Sequence, residues 1–210
     1  MKKFALLLFM ALLAPLSVQA DTVAEMLAHL KEVQADPAAL EKAVKAGGER
    51  ALLCAYCHGE DGNSVKGHIP HLAGQNAKYL LTQFQLFADG TRKDFVMSDL
   101  AKSLKAEEQV NIILYFSRNP VKPSKLGSPS LMEKGKQIYQ GFCHGCHGLD
   151  GRGNEDLPRL AGQPKEYLQK TLAAFKNKDE SRASSIMVNI VDRYSHDDLK
   201  AVAEYLTGLE

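Results

Sequence analysis

Two five-residue motifs contain all four cysteines of the chain. The first reads Cys-Ala-Tyr-Cys-His and ends at His58, and the second reads Cys-His-Gly-Cys-His and ends at His147. Two thiols three positions apart can bond to the two vinyl groups of one haem, and the adjacent imidazole is placed to ligate the iron. The motifs therefore predict two covalently bound haem c groups. The residues predicted to attach and ligate them are Cys54, Cys57, His58, Cys143, Cys146 and His147.

Two other uses of the four cysteines compete with haem attachment. In an oxidising compartment they could form two disulfides, and cysteine and histidine together could bind structural zinc. Neither alternative explains why histidine directly follows the second cysteine of both pairs, or why Gly59 and Gly148 come next. Haem attachment is the favoured interpretation.

A second axial ligand for each iron is predicted from matched methionines. A thioether is the usual choice in an electron carrier because it stabilises ferrous iron and raises the potential. Met97 stands 39 residues after His58, and Met187 stands 40 after His147. We therefore expect the iron ligands to be His58 with Met97 and His147 with Met187. Five further histidines have no counterpart in the other copy and are predicted not to ligate: His29, His68, His71, His144 and His196.

The two halves of the chain contain the same series of sequence motifs. Each Cys-x-x-Cys-His is followed by Gly and then by Asp-Gly, Pro-x-Leu-Ala-Gly-Gln, Tyr-Leu, a phenylalanine and a methionine. The offset between the copies stays between 88 and 90 residues. Stacked repeat arrays have periods of roughly 20 to 50 residues, so two copies at this spacing indicate tandem domains.

The N-terminal residues 1–20 are predicted to be an export signal. Two lysines precede an apolar stretch, which ends in a small-residue cleavage site at Ala20. Export predicts a periplasmic protein, and an uncleaved anchor is the alternative. The apolar stretch and all later segments fall short of the roughly 20 residues that a spanning helix needs, so no transmembrane segment is expected after cleavage.

Charge and composition exclude one class of partner. Without the two lysines of the signal, 24 basic and 25 acidic residues remain. Nucleic-acid binding would need a basic patch, and this balance gives no sign of one. We therefore expect no nucleic-acid partner.

Four segments are predicted after the signal. Residues 21–46 form an extension that has no counterpart in the second copy and is expected to be helical, with a helix start at Asp36-Pro37. The first domain is assigned to residues 47–119 and the second to residues 130–210. Between them, residues 120–129 are rich in proline, which predicts a semi-rigid extended linker.

The secondary structure is predicted to be all-α. Apolar residues recur at helical spacing after each Pro-x-Leu-Ala-Gly-Gln segment, and strand-like alternation is hard to find. Further helices are expected at residues 106–117 and 196–207. Ser130, with Glu133 three residues later, is predicted to cap the helix that leads to the second motif.

The duplicated motifs resemble the dihaem cytochrome c4 family over about residues 47–208. The resemblance implies two tandem class I cytochrome c domains that are joined by the linker and related by a pseudo-two-fold axis. It also implies His/Met iron in both domains. A further implication is that the carbonyls of Pro70 and Pro158 accept hydrogen bonds from the second ring nitrogens of His58 and His147.

The resemblance also implies a function. It points to a periplasmic electron-transfer protein and not an enzyme, with a quinol-oxidising complex or a dehydrogenase as electron donor. A terminal oxidase or reductase would be the acceptor, and peripheral membrane association is allowed. One alternative is a haem-bearing subunit of an oxidoreductase complex, for example in sulfur-compound oxidation. Another is a dihaem peroxidase, which would need a displaceable axial ligand.

Overall fold

The computed structural model describes residues 22–122 and 128–209, and within these ranges every regular element is a helix. The first half contains α1 (Val23–Ala35), α2 (Pro37–Arg50), α3 (Leu52–His58), α4 (Ala77–Ala88), α5 (Met97–Ser103) and α6 (Ala106–Arg118). The second half contains α7 (Pro129–Ile138), a π-helical turn (Tyr139–Cys143), α8 (His144–His147), α9 (Lys165–Lys176), α10 (Met187–Val191) and α11 (His196–Thr207). The all-α prediction is confirmed. The predicted signal peptide and residues 123–127 of the predicted linker lie outside the described residues. None of the described helices combines the length and apolar character needed to cross a membrane.

In each half, the first helix of the repeat crosses the last helix at a glycine. A Cβ atom on Gly47 of α2 would lie 2.0 Å from the carbonyl oxygen of Asn111 in α6. A Cβ atom on Gly135 of α7 would lie 2.0 Å from the carbonyl oxygen of Ala201 in α11. No side chain fits at such a distance, so glycine is what allows both helix pairs to pack backbone to backbone.

Helix α2 starts where the sequence predicted. The Asp36 carboxylate accepts hydrogen bonds from the N–H groups of Ala38 (2.9 Å) and Ala39 (3.2 Å), and Pro37 occupies the first helical position. The helix then runs without a break through residue 47, the predicted start of the first domain. The predicted extension therefore contributes part of the helix that crosses α6.

Helix α1 covers an apolar surface of the first domain. Met26 and Leu30 are buried, and they belong to the same core cluster as Leu81, Val110 and Leu114. In the second copy, the positions that correspond to the last three residues are occupied by Gln169, Lys200 and Glu204. An amphipathic helix needs an apolar surface to pack against, so α1 has a docking site on the first domain and not on the second.

Helix α7 begins one residue before the predicted cap. Its N-cap is Ser128, which makes no side-chain capping bond, and Pro129 is the first helical residue. The predicted capping box of Ser130 and Glu133 is wrong, because proline is well suited to the first helical position and places Ser130 inside the helix. The Glu133 carboxylate instead accepts a hydrogen bond from Gln137 at 3.2 Å. The predictions for the last helices hold, since α11 has the expected ends and α6 runs one residue further.

The described start of the linker is fixed to the first domain. The Asn63 side chain donates to the carbonyl oxygen of Pro120 (2.9 Å) and accepts from the N–H group of Lys122 (2.8 Å). The Lys122 ammonium lies 2.6 Å from the Asp61 carboxylate. This part of the chain is therefore held by hydrogen bonds and is not a free tether.

Val121 packs against both domains. Gly74 and Gly162 occupy matching places in the two Pro-x-Leu-Ala-Gly-Gln segments, with positive φ angles of 60° and 74°. A Cβ atom on Gly74 would lie 2.7 Å from one methyl group of Val121, and on Gly162 it would lie 2.9 Å from the other. The two glycines thus supply both the backbone conformation and the space for the valine.

Candidate haem sites

Both attachment motifs lie at the ends of helices. His58 is the last residue of α3 and His147 the last of α8, and each is followed by a glycine with positive φ, Gly59 (81°) and Gly148 (78°). No disulfide joins any of the four cysteines. Among the described residues there is no group of three or more His, Cys, Asp or Glu side chains that could hold a metal ion.

A proline carbonyl fixes the protonation of each motif histidine. The Nδ1 atom of His58 lies 3.0 Å from the carbonyl oxygen of Pro70, and Nδ1 of His147 lies 3.3 Å from that of Pro158. A carbonyl oxygen can only accept, so Nδ1 carries the proton and the lone pair is on Nε2. Burial lowers the pKa of both histidines and keeps the rings neutral. A neutral imidazole with a free Nε2 is the form that ligates iron.

The half-buried thiols of Cys54 and Cys143 are not set up for nucleophilic catalysis. Burial raises the pKa of the Cys54 thiol, although Arg50 opposes the shift, and burial also raises the pKa of the Cys143 thiol. A catalytic cysteine needs a lowered pKa, because the thiolate is the nucleophile.

The two predicted methionine ligands occupy the same place in their domains. Met97 is the first residue of α5, which packs on α4, and Met187 is the first residue of α10, which packs on α9. Their N–H groups donate to Asp94 (3.0 Å) and Ser185 (3.3 Å), respectively. Each methionine thus begins a short helix beside the helix that follows its Pro-x-Leu-Ala-Gly-Gln segment.

Large apolar side chains are exposed on the segments that contain the predicted ligands. Phe95, two residues before the first methionine helix, is 94% exposed, and Ile186, directly before the second, is 72% exposed. Leu53, next to the first motif cysteine, is 56% exposed. Covering surfaces of this kind is favourable by about 25 cal/mol per Å². The flat apolar face of a haem is chemically suited to cover them, so the residues present fit the group.

A cluster of two tyrosines and two arginines contains residues from both domains. The sequence patterns had not identified the arginines as candidate site residues. Burial raises the pKa of Tyr79 to about 12. Burial would also raise the pKa of Tyr167, but the guanidinium groups of Arg92 and Arg182 outweigh it and hold this pKa below its usual value. Arg92 and Arg182 stand 90 residues apart, at corresponding places of the two copies, and that repetition was the available signal. Such a cluster is suited to bind anionic groups.

Two glutamines connect the domains reciprocally. The Gln163 side chain accepts from the N–H group of His71 (3.0 Å) and donates to its carbonyl oxygen (2.9 Å). The Gln75 side chain makes the same pair of bonds to Arg159, at 2.7 Å and 2.8 Å. Each glutamine ends the Pro-x-Leu-Ala-Gly-Gln segment of its own domain and binds the corresponding segment of the other, as a pseudo-two-fold relation requires.

Comparison with known proteins identifies the family. The cytochrome c family model matches residues 132–210. Cytochrome c4 of Azotobacter vinelandii is 33% identical over 186 residues, which cover 78% of this chain and 88% of that protein. The chain belongs to the cytochrome c4 family. The structure of reduced recombinant cytochrome c4 from Pseudomonas stutzeri superposes with a TM-score of 0.75 at 30% identity, covering 80% of this chain and 98% of that one.

Membership of the cytochrome c4 family assigns the cofactor and the general role. The chain is a dihaem c-type cytochrome with two covalently bound haem c groups, and it is an electron-transfer protein, not an enzyme. A relative named thiosulfate dehydrogenase electron acceptor, from Thiomonas intermedia, is 33% identical over 178 residues, covering 75% of this chain and 79% of that protein. Redox proteins are the partners that these relatives indicate in general.

Proposed function

We propose that this cytochrome c4 is a periplasmic carrier of single electrons. It takes them from a quinol-oxidising complex or a dehydrogenase and delivers them to a terminal oxidase or reductase. The observation that carries the proposal is the pair of buried, neutral histidines with Nε2 free, each matched by a methionine at the same place in its domain. The haem iron supplies one-electron chemistry by alternating between its ferric and ferrous states. The predicted signal peptide supports the location.

We assign the following roles to side chains of the chain. The motif cysteines hold each haem covalently, and one histidine and one methionine ligate each iron. The carbonyls of Pro70 and Pro158 fix the orientation and tautomer of the histidine rings. The ligand sets are His58 with Met97 and His147 with Met187, and the attachment residues are Cys54, Cys57, Cys143 and Cys146.

The cluster of tyrosines and arginines is proposed to receive haem propionates. Arg92 and Arg182 supply two positive charges, and Tyr79 and Tyr167 supply hydroxyl groups, in a site that burial makes sensitive to charge. Pairing with arginine offsets the cost of placing carboxylates there. The two positive charges would favour the reduced form of a haem bound beside this cluster, so these residues are expected to raise the potentials.

Replacement of each methionine tests the ligand assignment. The holoprotein is produced with c-type haem maturation, and Met97→Ala and Met187→Ala are compared with Met132→Leu, which changes a methionine outside both predicted sites. Each alanine variant is expected to lose half of the long-wavelength charge-transfer band of a ferric iron–sulfur bond and to lower one of the two potentials. Met132→Leu should change neither. A full band in either alanine variant would exclude that methionine as a ligand, and fewer than two haems per chain would contradict the attachment assignment.

A second candidate function is a haem-bearing subunit of an oxidoreductase complex, for example one that oxidises a sulfur compound. It is favoured by the similarity to the thiosulfate dehydrogenase electron acceptor of Thiomonas intermedia. Affinity purification from the native source at low and high salt separates the two candidates. A freely dissociating carrier should be recovered alone, whereas a catalytic chain retained in stoichiometric amount would favour the subunit.

A further inference from the structure

A single peptide group connects His58 to a glutamine of the second domain. The Pro70 carbonyl and the His71 N–H belong to the same peptide group. The carbonyl accepts from Nδ1 of His58 at 3.0 Å, and the N–H donates to Oε1 of Gln163 at 3.0 Å. The proposed iron ligand and the glutamine thus bond to opposite ends of one amide.

The same arrangement occurs in the opposite direction. The Pro158 carbonyl lies 3.3 Å from Nδ1 of His147, and the N–H of Arg159, in the same peptide group, donates to Oε1 of Gln75 at 2.7 Å. Each domain therefore supplies the glutamine that bonds to the peptide group whose carbonyl accepts from the motif histidine of the other domain.

Burial makes these connections electrostatically effective. Gln75, Gln163 and His71 are buried, with 5%, 4% and 6% of their surface exposed. In a low-dielectric interior, a hydrogen bond at the N–H end polarises the amide and strengthens its carbonyl as an acceptor, by on the order of 10–30% per bond. A stronger acceptor at Nδ1 makes the imidazole a more basic ligand, which favours ferric iron.

We infer that Gln75 and Gln163 are positioning residues that lower the redox potential of the haem in the opposite domain. Each acts through one peptide group and one histidine, without touching the haem it influences. The inference rests on the proposed ligation of iron by His58 and His147. It links the contact between the domains to the potentials, because separation of the domains would remove both bonds.

Two length-preserving variants of the dihaem protein test the crossed effect. Gln163→Met removes the hydrogen-bond acceptor of the His71 backbone N–H group, and Gln75→Met removes the acceptor of the Arg159 backbone N–H group. The protein is titrated potentiometrically, and the NMR signals of the Gly59 and Gly148 amides report the oxidation state of each haem separately. Gln163→Met should raise the reduced-to-oxidised ratio of the first haem at a fixed potential, on the order of threefold, and leave the second unchanged. Gln75→Met should do the reverse.

Asn76→Ala is the matched control. The Asn76 side chain also bonds across the domains, donating to the carbonyl oxygens of Arg152 (3.1 Å) and Leu157 (2.7 Å). It does not bond to either of the two peptide groups that contact His58 and His147. Both potentials should therefore stay unchanged. The inference is overturned if Asn76→Ala shifts the potentials as much as the glutamine variants do. It is also overturned if a glutamine variant shifts neither haem, both equally, or only the haem of its own domain.

A measurement on the unaltered protein gives an independent test that needs no variant to fold. If the glutamine bonds favour ferric iron, linkage requires that oxidation strengthen those bonds. Amide hydrogen exchange is allowed to proceed in the fully oxidised or the fully reduced state and is read out after reduction. His71 and Arg159 should exchange more slowly in the oxidised protein.

The Tyr167 N–H is the internal reference, because it donates to the Gly67 carbonyl at 2.8 Å between the domains and is not part of either connection. Equal exchange rates of His71 and Arg159 in both redox states would overturn the inference. Absence of the low-spin, histidine-ligated spectrum in the unaltered holoprotein would instead contradict the ligand assignment, so the two failures are distinguishable.

Discussion

Single polar groups decide the chemistry of the buried residues. Nothing about an isolated histidine determines which ring nitrogen is protonated, and in both domains a proline carbonyl makes that choice because it can only accept a hydrogen bond. A similar local effect operates at the start of α11. There the Asp198 carboxylate accepts from the Lys134 ammonium (2.7 Å) and from the Ser195 hydroxyl (2.7 Å) and N–H (3.0 Å).

Asp198→Asn is predicted to destabilise the protein in a pH-dependent way. The hydrogen bonds from Lys134 and then Ser195 lower the pKa of Asp198 from 3.8 to about 2. Because the pKa of Asp198 is lower in the folded protein, its ionisation stabilises the fold at pH values above the pKa of the unfolded state. That stabilisation is lost as the pH falls through the folded-state pKa of about 2. Since 28% of the side chain is exposed and solvent screens the interaction, we expect a loss of about 1 kcal/mol in the free energy of unfolding at neutral pH. Urea denaturation should show a clear difference at pH 7 and a much smaller one near pH 2, and an equal loss at both would contradict the assignment.

At the scale of elements, the two copies differ mainly in α1. Its buried side chains meet apolar residues of α4 and α6, whereas the corresponding surface of the second domain is polar. In both copies, the first helix of the repeat crosses the last helix at a glycine, where an added Cβ atom would lie 2.0 Å from a backbone oxygen. The shared crossing defines the domain, and α1 is an addition to one copy of it.

Leu30→Ala is predicted to destabilise the first domain through loss of packing under α1. Leu30 is 2% exposed, and truncation of a leucine buried to this degree costs about 2–5 kcal/mol. Val23→Ala is the control in the same helix, because Val23 is 41% exposed and should cost much less. Hydrogen exchange of the α4 amides should accelerate in Leu30→Ala, while the amides of α9 should not change. Acceleration in α9, or none in α4, would show that α1 does not stabilise the first domain.

At the scale of the whole molecule, two kinds of contact connect the domains. Gln75 and Gln163, which are both buried, make neutral hydrogen bonds, and Val121 fills the space beside two glycines. The ion pairs between the domains are exposed by comparison: Lys78–Asp156 has side chains 37% and 69% exposed, and Lys93–Glu180 has 61% and 89%. Exposed pairs of this kind contribute about 0–1 kcal/mol each, so the neutral contacts dominate.

Salt is therefore predicted not to separate the domains. Raising the ionic strength to about 1 M shortens the screening length to roughly 3 Å and removes most of the attraction in the exposed pairs. The radius of gyration from small-angle scattering should nevertheless stay constant. Lys93→Ala should behave like the unaltered protein under both conditions. Expansion at high salt would mean that the ion pairs, and not the buried amides, hold the domains together.

Features that depend on neighbouring residues were determined by the sequence alone. Two thiols and an imidazole within five residues define an attachment motif wherever the chain goes, and their duplication with the following segments predicted tandem all-α domains. The start of α2 at Asp36-Pro37 and the ends of α11 were predicted for the same reason, since caps and helical periodicity act over one or two turns. The Ser130 cap failed because two suitable starts lay within three residues, and Pro129 fits the first helical position better.

Only the tertiary structure decided which distant groups meet. The glutamines bond to residues 84 and 92 positions away, and no local pattern specifies such a partner. The grouping of Arg92 and Arg182 with two tyrosines and the docking of α1 depend in the same way on how packed helices bring remote surfaces together. Hydrogen bonds and charges act over a few ångströms, so the sequence determines what chemistry each residue offers, and the packing of the two domains determines which residue receives it.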